Sequence, residues 1–312
     1  MTDFVTAVES RGPILTDGGI ETRIMFETEI EMDPHVQVAA LVTDPAGRPA
    51  LRSIYEGYVE AARDCGVPVV LGTPTFRASL GFARRAGLGT PENVRRLNAD
   101  AVALLHGVRD ASDHRPVFIA GVIGPSGDAY TPAEALEVGE AADYHRLQAE
   151  ALAAEGVDLL FAPTFPAVDE ALGAALAMGS TGLPSVVSFV LDEAGDVLDG
   201  TTLPDAIERI DREAVPRPLY YSISCVYPTV AARALDRARS DRVVELKANG
   251  SPLHTNELVK LDHLETTPPE EFAKLLWSVH IAHPALRVIG GCCGTDDRHM
   301  LELGRLMTAG GS

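Results

Sequence analysis

Cys292 and Cys293 stand side by side within Gly290-Gly291-Cys292-Cys293-Gly294, directly after the apolar stretch Leu286-Arg287-Val288-Ile289. Adjacent cysteines seldom bond to each other, because that disulfide closes a strained ring. Strand alternation would also point them to opposite faces. Flanking glycines free the backbone, so both sulfurs can turn toward one point. A soft divalent cation is the natural point of convergence. Zinc takes thiolates tetrahedrally, and where it is catalytic it typically keeps three protein ligands and one open position. A further cysteine, Cys225, closes the strand-like run Leu219-Tyr220-Tyr221-Ser222-Ile223-Ser224. Cys225, Cys292 and Cys293 together read as a zinc site of three sulfurs with a fourth position for a ligand.

The remaining candidates carry less. Cys65, in Arg63-Asp64-Cys65-Gly66 at an apparent helix end, reads as a packed thiol. A redox dithiol would show Cys-x-x-Cys spacing, which the chain lacks. A zinc hydrolase would favour histidine and carboxylate ligands, and no His-Glu-x-x-His motif occurs. His145, His254, His280, His283 and His299 are scattered without ligand spacing.

Three cysteines so far apart in sequence need a frame that gathers strand ends. Short apolar, β-branched runs occur at 14–17, 67–72, 117–121, 158–162, 185–191, 219–225, 242–247 and 286–290. Such runs suit parallel strands covered on both faces. Helical patterns alternate with them, the clearest at 92–110, where Leu97, Ala101, Leu104, Leu105 and Val108 share one face. Thr90-Pro91, Thr131-Pro132 and Thr267-Pro268 each have the form of an N-cap before a first-turn proline. Eight such units predict a (β/α)8 TIM barrel, a single domain over 1–312. A doubly wound open sheet is the alternative, since periodicity does not reveal closure. In a barrel the active site gathers at the C-terminal strand ends. Asp17, Cys225 and the Cys292–Cys293 pair all fall at such ends.

The net charge of −19 repels nucleic acid and anionic membrane surfaces. No cationic leader with an apolar core precedes the first strand, and no apolar run approaches spanning length. With four cysteines and no secretory signal, the expected compartment is the reducing cytoplasm. No long C-terminal association arm is expected, although an oligomer is compatible with the sequence. Lysine occurs only at Lys247, Lys260 and Lys274, which reads as a coding preference for arginine.

The chain resembles the homocysteine S-methyltransferase family. Matching segments run nearly end to end: Leu15-Thr16-Asp17-Gly18-Gly19, Thr73-Pro74-Thr75-Phe76-Arg77-Ala78-Ser79 and Ala120-Gly121-Val122-Ile123-Gly124-Pro125, then Ser188-Phe189, Asp199-Gly200-Thr201, Ser224-Cys225, and Gly290-Gly291-Cys292-Cys293-Gly294-Thr295. The resemblance implies a zinc-dependent barrel with Cys225, Cys292 and Cys293 as ligands and a substrate thiol in the fourth position. It implies methyl transfer from a sulfonium or quaternary ammonium donor to that thiol. A zinc-bound thiol is deprotonated and so becomes nucleophilic at neutral pH. Asp17, Gly18, Thr75, Arg77 and Asn249 fall at or near substrate-contact positions of the family. The expected partners are a small thiol and a methyl donor.

Two departures bear on substrate choice. After the fourth strand, the family carries Glu-Thr, whose carboxylate holds the homocysteine amino group. Here Phe161-Ala162-Pro163-Thr164 puts Pro163 at that position, without charge or donor. Homocysteine is then expected to bind poorly unless Asp17 or Glu21 substitutes, and Pro163→Glu is expected to improve its use. Arg77 replaces a tyrosine of the betaine enzymes. A guanidinium repels a quaternary ammonium but grips a carboxylate in two-pronged fashion, which favours a carboxylated reactant on the donor side. The alternatives are methyl transfer or demethylation with a different thiol, or a zinc-holding barrel without turnover.

Overall fold

The computed structural model describes residues 3–10, 12–253, 255–258 and 260–309; His254 lies outside them. Eight parallel strands follow one another in chain order and close into a barrel. They are β1 Ile14–Thr16, β2 Val69–Gly72, β3 Val117–Val122, β4 Leu159–Phe165, β5 Ser185–Phe189, β6 Tyr220–Val226, β7 Val243–Ala248 and β8 Val288–Gly291. Pairing of Ile14 with Val288 and Leu15 with Ile289 seals β1 against β8, which excludes the open sheet.

Strand alternation divides the core into two shells. Ile14, Val70, Phe118, Leu159, Val186, Tyr220 and Val288 belong to the inner one. Leu15, Val69, Ile119, Leu160, Val187, Tyr221 and Ile289 face the helices in the outer one. The helix Phe4–Glu9, capped by the Asp3 side chain, packs Phe4 and Val8 into the inner shell. Its Phe4 ring lies 5.3 Å from that of Phe118 and 6.3 Å from that of Tyr220, the first residue of β6, so it plugs the N-terminal end of the barrel. Truncating a ring such as Phe118 to alanine should cost about 3–5 kcal/mol, through lost burial and the void left behind. With one end plugged, the cavity can open only at the other.

Helix starts agree with the sequence in part. Thr90 caps the helix Pro91–Ala111 by accepting the Asn93 amide at 3.2 Å. Thr131 leads only into the short 3-10 turn Pro132–Glu134, without a side-chain cap. Pro268, not Thr267, occupies the cap of the helix Pro269–Ala282. Thr267 is engaged elsewhere: its amide meets the Gly250 carbonyl at 2.8 Å and its hydroxyl lies 3.1 Å from the Tyr227 phenol. These tertiary partners outcompete a local cap. An unanticipated cap is Thr202, which accepts the Asp205 amide at the start of the helix Leu203–Glu213. Among the described residues, no helix is long and apolar enough to cross a membrane.

Candidate metal centre and substrate cavity

Backbone contacts fix each of the three cysteines. Cys225 sits in β6 where the register against β7 shifts between Ser224 and Val226. Its φ of 57° lies in the left-handed region, which a side chain normally avoids. The Asn249 side-chain amide donates to the Cys225 carbonyl at 3.0 Å and holds that conformation. Cys292 donates its amide to Ala248 at 2.8 Å, and its carbonyl accepts the Thr295 hydroxyl, also at 2.8 Å. The Cys293 carbonyl receives the Gly250 amide at 2.9 Å. Gly294 adopts φ 79°, and a side chain at Gly290 would run into Thr16, so the glycine frame both turns the chain and lets β1 approach.

The three sulfurs lie within 4.8 Å of one another. A zinc–sulfur bond of about 2.3 Å implies ligand sulfurs about 3.8 Å apart in a tetrahedron, so the cluster has the compactness that zinc requires. Burial, aided by the nearby Glu21 charge, pushes the Cys293 thiol up to about 12. A thiolate there needs a compensating cation, as the metal reading demands. Cys225 and Cys292 are joined by a disulfide with their Cα atoms 5.7 Å apart, and Cys293 is free. Sulfurs close enough to share a cation are also close enough to bond when oxidised. Cys65 lies apart, its sulfur 3.6 Å from the Leu301 carbonyl among the outer helices.

The sulfurs face a cavity of about 330 Å³ at the C-terminal strand ends, continuing into the barrel interior. Its walls are mainly apolar, with Met25, Phe76, Tyr130, Phe161 and Pro163 among them, while Asp17, Glu21, Arg77, Glu245 and Lys247 supply its charge. Two tyrosines of the helix Gly47–Cys65 secure the rim: the Tyr55 phenol donates to the Gly72 carbonyl at 2.7 Å and the Tyr58 phenol to Gly19 at 3.0 Å. Thr164 follows Pro163 with φ 59°, and its buried hydroxyl has no hydrogen-bond partner.

Of the residues singled out in the sequence, Asp17, Gly18, Arg77 and the three cysteines line this cavity. Thr75 and Asn249 do not. Thr75 is buried in the barrel wall, donating to the Val122 carbonyl at 2.7 Å. Asn249 acts behind the site, through the Cys225 carbonyl. Asp17 is paired internally: Lys247 meets one carboxylate oxygen and the Gly72 amide donates to the other at 2.7 Å. The sequence reading missed Lys247 and Glu245. Their signal was available as two charged residues, two positions apart and so on one face, in a strand otherwise built of Val243, Val244, Leu246 and Ala248. Burial raises the Glu245 carboxyl to about 7, although Lys247 and the Tyr220 phenol, 3.1 Å away, pull it down.

A closed parallel barrel with a three-cysteine cluster at the C-terminal ends of its strands defines the class as a (β/α)8 barrel with a cysteine-lined site. The family follows from the chain itself. The homocysteine S-methyltransferase family model matches residues 14–307, and the chain belongs to that family. Comparison with curated protein sequences gives no match. Among solved structures, the chain is similar to the metallated form of the homocysteine methyltransferase MmuM from Escherichia coli, at 20% identity and TM-score 0.77, covering 96% of this chain and 98% of that one. The oxidised form of the same enzyme follows at 19% identity and TM-score 0.75, over 94% and 95% of the two chains. At these identities the likeness bears on the fold.

Proposed function

We propose that this chain is a zinc-dependent thiol S-methyltransferase that moves a methyl group from a sulfonium donor, such as S-methylmethionine or an S-adenosylmethionine-like compound, to homocysteine or a related thiol. The observation that carries this reading is the convergence of Cys225, Cys292 and Cys293 within 4.8 Å at the edge of an apolar cavity, in a chain of this family. These three residues would hold the zinc. When bound, it supplies the positive charge that keeps a substrate thiol deprotonated at neutral pH.

The chain's own residues do the rest. Hydrogen bonds from Asn249, Gly250 and Thr295 hold the cysteine backbone in place, so the sulfurs stay aimed at the cavity. Phe76, Tyr130 and Phe161 strip water from the reactants. In the reaction, the substrate sulfur forms a bond to the methyl carbon and the donor sulfur–carbon bond breaks. The donor then leaves as a neutral thioether. A negative sulfur and a positive sulfonium cancel as they react, so a dry cavity favours the step over water. Confinement of both reactants in about 330 Å³ supplies orientation. The cytoplasm, which keeps thiols reduced, fits this chemistry.

The test is methyl transfer by reduced, zinc-loaded protein with homocysteine and a panel of donors. Turnover with a sulfonium and little or none with betaine supports the reading. Zinc and thiol binding without turnover of any donor would instead mark a non-catalytic barrel.

A further inference from the structure

The cavity holds more charge than the metal chemistry uses, and most of it is already paired. Asp17 is satisfied by Lys247 and the Gly72 amide. Glu245 is bonded to Tyr220 deep in the barrel. Asp128 is exposed at the mouth, where it accepts the Tyr130 amide at 2.8 Å. Glu21 and Arg77 remain. Both line the cavity, and neither forms an ion pair among the described residues. The Arg77 Nε is buried with no hydrogen-bond partner, and its guanidinium stacks 4.9 Å from the centre of the Phe82 ring, which fixes its direction. Glu21 opens the helix Glu21–Glu27, on a turn strapped to the cysteine loop. There the Gly19 amide donates to Thr295 at 3.0 Å and the Gly294 amide to the Thr22 hydroxyl at 3.2 Å. Burial raises the Glu21 carboxyl and the Arg77 charge pulls it back, although the two line one cavity without forming an ion pair.

Two unlike charges left apart in one cavity fit a ligand that carries both opposite charges on one carbon. We propose that Glu21 and Arg77 form an α-amino-acid clamp, in which Glu21 takes the ammonium and Arg77 the carboxylate of the amino acid whose sulfur is presented to Cys225, Cys292 and Cys293. This rests on the thiol methyltransferase reading and deepens it. Within that reading's acceptor, it gives Glu21 the role that Pro163 leaves unfilled. It also places the carboxylate held by Arg77 on the acceptor.

Thioethers test the clamp without needing a free thiol. Zinc-loaded full-length protein is titrated calorimetrically with methionine, with its analogue lacking the amino group, and with its analogue lacking the carboxylate. Glu21→Gln should weaken methionine and the amine-only analogue by about tenfold or more, and the carboxylate-only analogue by less than about twofold. Arg77→Gln should show the reciprocal pattern. Glu21→Asp and Arg77→Lys, which keep the charge, should retain part of the affinity and guard against a misfolded variant. The clamp is overturned if the wild type does not bind methionine, or if either variant weakens both analogues equally. Zinc content measured on the same samples separates this outcome from failure of the metal reading, which would show as wild type without zinc.

Discussion

Lys247 and Asp17, 230 residues apart in the chain, meet as an ion pair inside the barrel, where the lysine also reaches Thr16 Oγ1 at 3.0 Å and the Asp17 carbonyl at 3.1 Å. The pair ties β7 to β1 at the foot of the substrate cavity. It also withdraws Asp17 from direct ligand recognition.

Breaking that pair from one side should be expensive. Lys247→Met leaves the buried Asp17 carboxylate uncompensated, for an expected loss of about 3–5 kcal/mol. Adding Asp17→Asn should recover a large share of that loss. Urea unfolding of both single variants and the double variant checks this, and strictly additive losses would show that the two residues do not stabilise each other.

Glu245 predicts a pH dependence. Burial raises its carboxyl from 4.5 to about 7 in the folded chain, so the folded state holds the proton more tightly than the unfolded one. The stability it contributes is full below about 4.5 and is lost as pH rises through about 7. Wild type should therefore lose about 3 kcal/mol relative to Glu245→Gln between pH 4.5 and pH 8. Paired unfolding curves across that range measure the difference, and a constant offset would place Glu245 in a more polar setting than the structure does.

The barrel and its cysteine cluster were legible because they rest on local signals. Apolar runs mark the strands, and the cysteines fall at strand ends, where the glycine frame around Cys292 and Cys293 announces an unusual backbone. Arg77 and Asp17 were legible as cavity residues through the resemblance. What escaped was decided by register and long-range pairing. Cys225 and Thr164 take left-handed conformations at shifts in β6 and β4, and neither is a glycine that would advertise the turn. Lys247 read as a composition detail because its partner lies 230 residues away. Thr267 satisfied the local rule for a helix cap and still found better partners in Tyr227 and Gly250.

Pro163 and Glu21 should be interchangeable as the place for a carboxylate. In a Glu21→Gln background, Pro163→Glu should recover homocysteine turnover by about tenfold or more, the worth of a charge-assisted hydrogen bond. In the wild type, it should raise the preference for homocysteine over a thiol without an amino group. Steady-state kinetics with both thiols test this, and no recovery in the double variant would separate the two positions.

Metal content should follow the cluster and not the cysteine count. Serine at Cys225, Cys292 or Cys293 should lower zinc in reduced protein from one per chain to a small fraction, whereas Cys65→Ser should leave it unchanged. Elemental analysis after dialysis decides, and full retention by Cys292→Ser would remove that residue from the ligand set.

The central claim is that Cys225, Cys292 and Cys293 hold a zinc to which the substrate adds its own sulfur. Zinc X-ray absorption on the reduced, loaded protein, recorded before and after homocysteine is added, tests it most directly. The account predicts three sulfur neighbours rising to four, with release of a proton at neutral pH. A first shell unchanged by a thiol that the protein turns over would contradict it.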